Sequence, residues 1–261
     1  MSPKLSEYTA SYPKIILAGR TGSGKTLLAT TLGARSLVLD LNNGLSSAVR
    51  FRDVHTATRG QCDVKCCWDA GKPDAVWKRV LGYVTDFENK PSHEALVIDG
   101  LSDLAEAALG AILIGGGKWD EASATKQTQA DWGAAIGLMT RLMYRIKTIK
   151  AIVVMVAHVR DDELKGKNVE RLAVYGKGTL APLIEGVFDE VWYTNVTGLG
   201  DKRKFELQTV STYTTQCKTR RQLPDGTDMN LGLGKILEMI GWCGQQATTP
   251  AMPPAGAVAT K

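Results

Sequence analysis

The chain has 261 residues, 44% of them hydrophobic, so it is long enough to bury one large core or two small ones. No apolar run approaches the roughly 18 residues that span a bilayer, and the first residues lack the apolar segment of a secretory signal, so we expect a cytoplasmic protein without a membrane partner. The formal net charge of +5 and the pI ≈ 8.9 permit a polyanionic partner without requiring one.

Strand and helix patterns alternate along most of the chain. Apolar runs predict strands at 15–18, 36–40, 64–68, 95–98 and 151–158. Helical periodicity predicts helices at 27–32, 74–89, 102–114, 132–147 and 233–240. Polar composition predicts loops at 118–131 and 160–179. This alternation indicates an α/β fold with a mainly parallel sheet flanked by helices.

The C-terminal part of the chain has a different pattern. The segments 187–196, 204–210 and 213–218 are typical of a C-terminal antiparallel β-meander. Residues 244–261 are rich in Pro, Ala and Thr and contain too few core-forming side chains to fold. We therefore expect one domain over residues 1–243 and a disordered tail over 244–261.

A complete phosphate-loop pattern, G-x-x-x-x-G-K-[ST], lies between the first predicted strand and the first predicted helix. Backbone N–H groups at a helix N-terminus bind phosphate, and glycines let the backbone wrap an anion. Lys25 is placed to reach the β- and γ-phosphates of ATP, and the Thr26 hydroxyl to ligate Mg²⁺. The alternative is a glycine-rich turn without a ligand. The residues of the pattern are Gly19, Arg20, Thr21, Gly22, Ser23, Gly24, Lys25 and Thr26.

Asp99 is the second candidate for the nucleotide site. It follows four apolar residues of a predicted strand, at the edge of the sheet where the phosphate loop also lies. An acid in this position binds the Mg²⁺ shell opposite the loop threonine. The alternative is that Asp99 caps the next helix.

Several motifs and their order along the chain resemble those of the RecA-like P-loop ATPases. Among these ATPases, they resemble the phage ATP-binding proteins of the Sak group of single-strand annealing recombinases. The resemblance covers about residues 12–240. The matching pieces are the phosphate loop, Leu39-Asp40-x-x-x-Gly44-Leu45, Leu96-Val97-Ile98-Asp99, Ala157-His158-Val159, Phe188-Asp189-Glu190-Val191-Trp192-Tyr193 and Lys218-Thr219-Arg220.

The resemblance implies ATP and Mg²⁺ as cofactors, and a homo-oligomer, ring or filament, with ATP at the subunit interfaces. It also implies single-stranded DNA in the central loops, the cytoplasm of a bacterial host, and a single-stranded DNA-binding protein as a further partner. His158 would then sense the γ-phosphate, whereas the alternative is an ordinary half-buried histidine. Lys218 and Arg220 would act in trans on a neighbour's ATP, or else form a solvated strand end.

The same resemblance places DNA on the segment after His158, whose glycines suit a mobile loop. Basic and acidic residues nearly balance there, so local charge alone would not indicate DNA. The candidate DNA-binding residues are Lys165, Lys167, Arg171 and Lys177.

Asn42 departs from the family pattern. It stands where RecA-like proteins usually carry the glutamate that polarises the attacking water. An amide orients water but cannot accept its proton, and a general base is worth ~10²–10⁴ in rate. Either hydrolysis is slow, or Asp40 or another acid substitutes. The segment Asn42-Asn43-Gly44 is also simply a good turn sequence.

The sequence thus predicts an ATP-binding RecA-like protein with weak DNA-stimulated ATPase activity that acts on single-stranded DNA in phage-type recombination. One alternative is a P-loop nucleotide or metabolite kinase. Another is a non-hydrolysing ATP switch that loads a replication protein.

Overall fold

The computed structural model describes residues 12–32, 35–45, 62–69, 71–119, 127–164, 167–175 and 179–242, apart from the side chains of residues 164 and 167. The predicted tail, Lys165 and Lys177 lie outside these residues.

A single sheet runs through the described part of the chain, in the order β3-β2-β4-β5-β1-β7-β8-β9, with β6 paired to β5. All pairs from β3 to β7 in this order are parallel, whereas β7, β8 and β9 pair antiparallel. The predicted mainly parallel sheet with an antiparallel C-terminal part is therefore confirmed. The strands are β1 (Lys14–Gly19), β2 (Ser36–Asp40), β3 (Cys62–Cys66), β4 (Ala95–Asp99), β5 (Ile152–Leu164), β6 (Lys167–Leu172), β7 (Glu190–Thr197), β8 (Lys204–Gln208) and β9 (Thr227–Asp228).

Helices cover both faces of the sheet, which explains why the central strands are apolar throughout. In β1, Ile16 and Ala18 point into the larger core, and Ile15 and Leu17 point into the smaller one. The larger core contains residues of α2, α3, α4 and α5, and the smaller contains residues of α1 and α6. The helices are α1 (Lys25–Ala29), α2 (Pro73–Asn89), α3 (Leu101–Gly115), α4 (Gln129–Thr148), α5 (Leu180–Val187) and α6 (Leu233–Met239).

The predicted loop at 118–131 ends earlier than expected, because α4 begins at Gln129. A capping box sets this start: the Thr128 hydroxyl accepts from the Asp131 backbone N–H at 3.3 Å, and Asp131 Oδ2 accepts from the Thr128 backbone N–H at 2.9 Å. Residues 128–131 therefore belong to the helix and its cap rather than to a loop.

The predicted loop at 160–179 is wrong over most of its described length. β5 continues to Leu164 and pairs antiparallel with β6, so that this segment is a β-hairpin. The hairpin extends beyond the core and carries charged residues on its strands, so the apolar pattern that marks a buried strand is missing. The segment that the sequence predicts to be an irregular DNA-binding loop thus has a defined strand register.

The third strand of the predicted meander also differs. Residues 213–218 form no strand, and a single bridge joins Lys218 to Val191. The hydroxyl of Thr212 accepts from the backbone N–H groups of Thr214 (3.2 Å) and Thr215 (3.1 Å) and so closes a turn instead. β8 pairs with β7 on one side, and its partner on the other side is the short strand β9, which follows the predicted segment in the chain.

Candidate functional site

The phosphate loop joins β1 to α1 at the carboxyl edge of the sheet, in the predicted strand–loop–helix order. Gly22 (φ 78°) and Gly24 (φ 83°) adopt left-handed conformations that strongly favour glycine. A Cβ atom on Gly19 would collide with the Thr194 hydroxyl on β7. The glycines of the pattern are therefore required by the backbone path and by a close neighbour.

Thr194 is a site residue that sequence reasoning missed. It pairs in register with Gly19, its Oγ1 lies 2.5 Å from Ser23 Oγ, and it hydrogen-bonds to the Ala18 carbonyl at 3.1 Å. Ser23 Oγ also donates to the Arg20 carbonyl at 2.7 Å. Two hydroxyls thus hold the loop in shape, and the only signal in the sequence is a threonine where β7 reaches the carboxyl edge.

The Lys25 ammonium is buried within the loop. Its Nζ donates to the carbonyls of Gly19 (2.9 Å) and Arg20 (2.8 Å), and the residue is 5% exposed. Burial lowers the pKa of Lys25 to about 8, although the charge of Asp99 acts in the opposite direction. The loop therefore holds a compact positive charge that an incoming phosphate would stabilise.

Asp99 lies at the end of β4 with 1% of its surface exposed, and neither carboxylate oxygen has a hydrogen-bond partner among the residues that the structure describes. Burial raises the pKa of Asp99 to about 6, and the nearby Thr26 hydroxyl lowers that pKa in part. A buried carboxylate without a partner is costly. Because Mg²⁺ prefers oxygen ligands and is held by one or two protein groups plus phosphate, Asp99 and Thr26 fit it.

Asp40 is the last residue of β2, and Asn42 lies in the turn that follows it. Asp40 pairs in register with Asp99, and its Oδ1 accepts from the backbone N–H groups of Asn42 and Gly44, both at 3.2 Å. Its Oδ2 accepts from the Leu45 N–H at 3.5 Å, and Asn42 Oδ1 accepts from the Gly44 N–H at 2.8 Å. The turn interpretation of this segment fits these bonds, and the catalytic role of Asn42 stays a prediction.

His158 lies beside the phosphate loop, because β5 pairs it in register with Gly19. It is half-buried, and burial, then the charge of Lys25, lower its pKa below the ordinary value. The imidazole is therefore mostly neutral at pH 7. Its role as a γ-phosphate sensor stays a prediction.

Arg20 connects the phosphate loop to the β5–β6 hairpin. Its guanidinium donates from Nε to Glu170 at 2.8 Å and from Nη2 to Asp161 at 2.7 Å. The hydrogen bond to Glu170 and the charge of Asp161 raise the pKa of Arg20 above its ordinary value. The partners lie 141 and 150 positions away in sequence, so no local pattern could reveal the contact.

The hairpin presents acidic and basic cross-strand pairs. Asp161 lies opposite Glu170, and Arg160 lies opposite Arg171. Since successive residues of a strand point to opposite faces, the two pairs lie on opposite faces. Of the predicted DNA-binding residues, Arg171 is half-buried on the face of the basic pair and Lys167 begins β6.

Lys218 and Arg220 have partners within their own chain. Lys218 Nζ donates to the carbonyls of Glu185 (3.2 Å) and Gly186 (3.3 Å) at the end of α5, and also to that of Phe188. Arg220 Nη1 lies 3.0 Å from Asp189 Oδ1. Action on a neighbouring subunit would require these contacts to be exchanged, and that role stays a prediction.

The fold and the loop together define the class: an α/β P-loop nucleotide-binding protein of the ATPase type. A family model described as an AAA domain matches residues 11–221, well over half of the chain. The chain therefore belongs to this AAA domain family. No curated protein matches it. None of the helices in the described residues is long and apolar enough to cross a membrane.

Proposed function

We propose that this AAA-domain protein binds Mg-ATP and acts on single-stranded DNA in phage-type homologous recombination, by annealing or strand pairing, with slow ATP hydrolysis. The proposed nucleotide binding rests on two buried charged groups at the loop. The Lys25 ammonium donates to two loop carbonyls, and the Asp99 carboxylate, near the Thr26 hydroxyl, has no hydrogen-bond partner among the described residues.

In this proposal, the loop N–H groups and Lys25 hold the phosphates, and Thr26 and Asp99 hold Mg²⁺. The bound Mg²⁺ would neutralise charge on the β- and γ-phosphates. Ser23 and Thr194 keep the loop open around the ligand through their contact. His158 lies next to Gly19, and β5 continues from it into the hairpin. In this proposal, His158 senses the bound phosphate and changes the position of the hairpin.

Slow hydrolysis is supported by the turn after β2. The two candidates for activating water there are already engaged: Asn42 closes the turn, and Asp40 accepts three backbone N–H groups. A carboxylate that stabilises a turn is a poor general base unless the turn opens. The same observation favours a second candidate function, a non-hydrolysing ATP switch that loads a replication protein.

DNA binding is supported by the hairpin and its basic cross-strand pair, Arg160 and Arg171. The hairpin continues from the part of β5 that lies next to the phosphate loop, where it could respond to nucleotide. A homo-oligomer would bring Lys218 and Arg220 near a neighbour's ATP, and a single-stranded DNA-binding protein would supply the coated substrate. We place this activity in the cytoplasm of a bacterial host.

Gel filtration of the full chain with ATP, Mg²⁺ and single-stranded DNA tests the proposal. We expect a nucleotide-dependent oligomer that co-elutes with the DNA. A protein that stays monomeric and ignores DNA would contradict the recombination function and favour the kinase alternative. An oligomer that binds ATP, ignores bare DNA and releases no phosphate would favour the switch.

A further inference from the structure

The contact between Arg20 and the β5–β6 hairpin couples the hairpin to the nucleotide, if ATP binds at the phosphate loop as proposed above. Arg20 is tied at both ends. Its carbonyl accepts from Lys25 Nζ (2.8 Å) and Ser23 Oγ (2.7 Å), and its guanidinium holds Asp161 and Glu170. One residue therefore links the phosphate-binding lysine to the hairpin.

The charges around Arg20 make this link sensitive to an anion. Two carboxylates beside a phosphate site would repel a triphosphate, and the guanidinium between them offsets this repulsion. Arg20 is 65% exposed and Asp161 58%, so their ion pair is weak and is exchanged at little cost. Phosphate oxygens also accept from guanidinium in a strong, bidentate geometry.

The hairpin is anchored so that a change at its acidic face is transmitted to its base. β5 enters it directly from the His158–Gly19 pair, and the His158 carbonyl accepts from the Ala173 N–H at 2.8 Å where β6 has ended. The acidic pair faces Arg20, while Arg160 and Arg171 lie on the opposite face. A shift of the acidic face therefore moves the basic pair as well.

We propose that Asp161 and Glu170 are positioning residues that hold Arg20 in the absence of nucleotide, and that phosphate competes with them for its guanidinium. Nucleotide binding then releases the hairpin, and a ligand bound to the hairpin changes nucleotide affinity by the same factor.

Binding of a fluorescent ATP analogue in Mg²⁺ tests this on the full chain. Arg20→Gln leaves both carboxylates uncompensated, and we expect it to weaken binding about 10-fold. The double variant Asp161→Asn/Glu170→Gln should bind at least as tightly as wild type. The triple variant removes the repulsion but still lacks the guanidinium, so it should recover part of the loss. Arg79→Gln, which removes an exposed ion pair with Asp69, is the matched control and should change nothing.

Hydrogen exchange of the amides of β5 and β6, with and without the analogue, gives the second readout. We expect nucleotide to speed exchange at 159–172 in wild type and to leave it unchanged in the double variant, whose hairpin no longer has its ion pairs with Arg20. If the triple variant binds as poorly as Arg20→Gln, or if wild-type exchange ignores nucleotide, the inference is wrong. If wild type does not bind the analogue at all, the proposed function itself fails.

Discussion

Asp99 and Asp40 lie side by side in register at the ends of β4 and β2, and they differ in how their carboxylates are satisfied. Both are almost fully buried, at 1% and 4% exposure. Asp40 accepts three backbone N–H groups and closes a turn, whereas neither oxygen of Asp99 has a partner in the described part of the chain. Burial alone therefore does not identify a ligand-binding residue. A buried polar group whose bonds are unmade points to a ligand, and a satisfied one points to architecture.

Among these substitutions, we expect the loss of Lys25 to change ligand binding the most. Lys25→Ala removes the buried charge that pairs with the phosphates, and we expect nucleotide affinity to fall by about 2–5 kcal/mol. The fold should persist because the ammonium contacts only loop atoms. Titration with a fluorescent ATP analogue measures this. Lys78→Ala, at an exposed helical ion pair, is the control, and equal affinities for both variants would refute the phosphate-loop assignment.

Asp99 should also make the metal-free protein pH-dependent. Burial raises its pKa from 3.8 to about 6, so the folded state holds this proton more tightly than the unfolded chain. Stability is therefore lost as pH rises through this window, by up to about 3 kcal/mol.

Urea unfolding in EDTA checks this against Asp99→Asn. We expect the two proteins to have similar stability at pH 4 and the variant to be more stable at pH 7. A wild type that gains stability relative to the variant over this range would show that Asp99 has a partner.

Asp40→Ala should have the opposite effect on the fold. It removes the carboxylate that accepts from Asn42, Gly44 and Leu45, and only the Gly44 N–H keeps its bond to Asn42 Oδ1. We expect a loss of about 1–3 kcal/mol in the free energy of unfolding at pH 7. The same urea titration measures it. If Asp40→Ala and Asp99→Ala destabilise the protein equally, the distinction between the two carboxylates fails.

Substitution of Asn42 should produce a smaller change, in the rate of ATP hydrolysis. Asn42→Glu supplies a carboxylate near the proposed Mg²⁺ site, and we expect phosphate release with saturating single-stranded DNA to rise ~10-fold. This is less than a well-placed base gives, because the turn bond to Gly44 is lost. Asn42→Gln loses the same bond without adding a base and is the control. If wild type is already fast and Asp40→Asn abolishes the reaction, then Asp40 is the base and Asn42 is only a turn residue.

The sequence predicted those parts of the molecule that depend on neighbours along the chain. β1 is apolar throughout and runs into a complete phosphate-loop pattern, so strand, loop and helix follow from local rules. Contacts between distant segments leave no such pattern. Thr194 meets Gly19 only because β7 pairs with β1, and the polar hairpin resembles a loop because its strands leave the core.

Measuring how Mg²⁺ changes ATP-analogue affinity in wild type, Asp99→Asn and Asp40→Asn tests most directly whether the unpartnered carboxylate is the metal ligand. Replacing Mg²⁺ by EDTA should weaken binding ~10-fold or more in wild type and in Asp40→Asn. In Asp99→Asn the affinity should be nearly independent of Mg²⁺. An undiminished Mg²⁺ effect in Asp99→Asn, or its loss in Asp40→Asn instead, would contradict the assignment of the site.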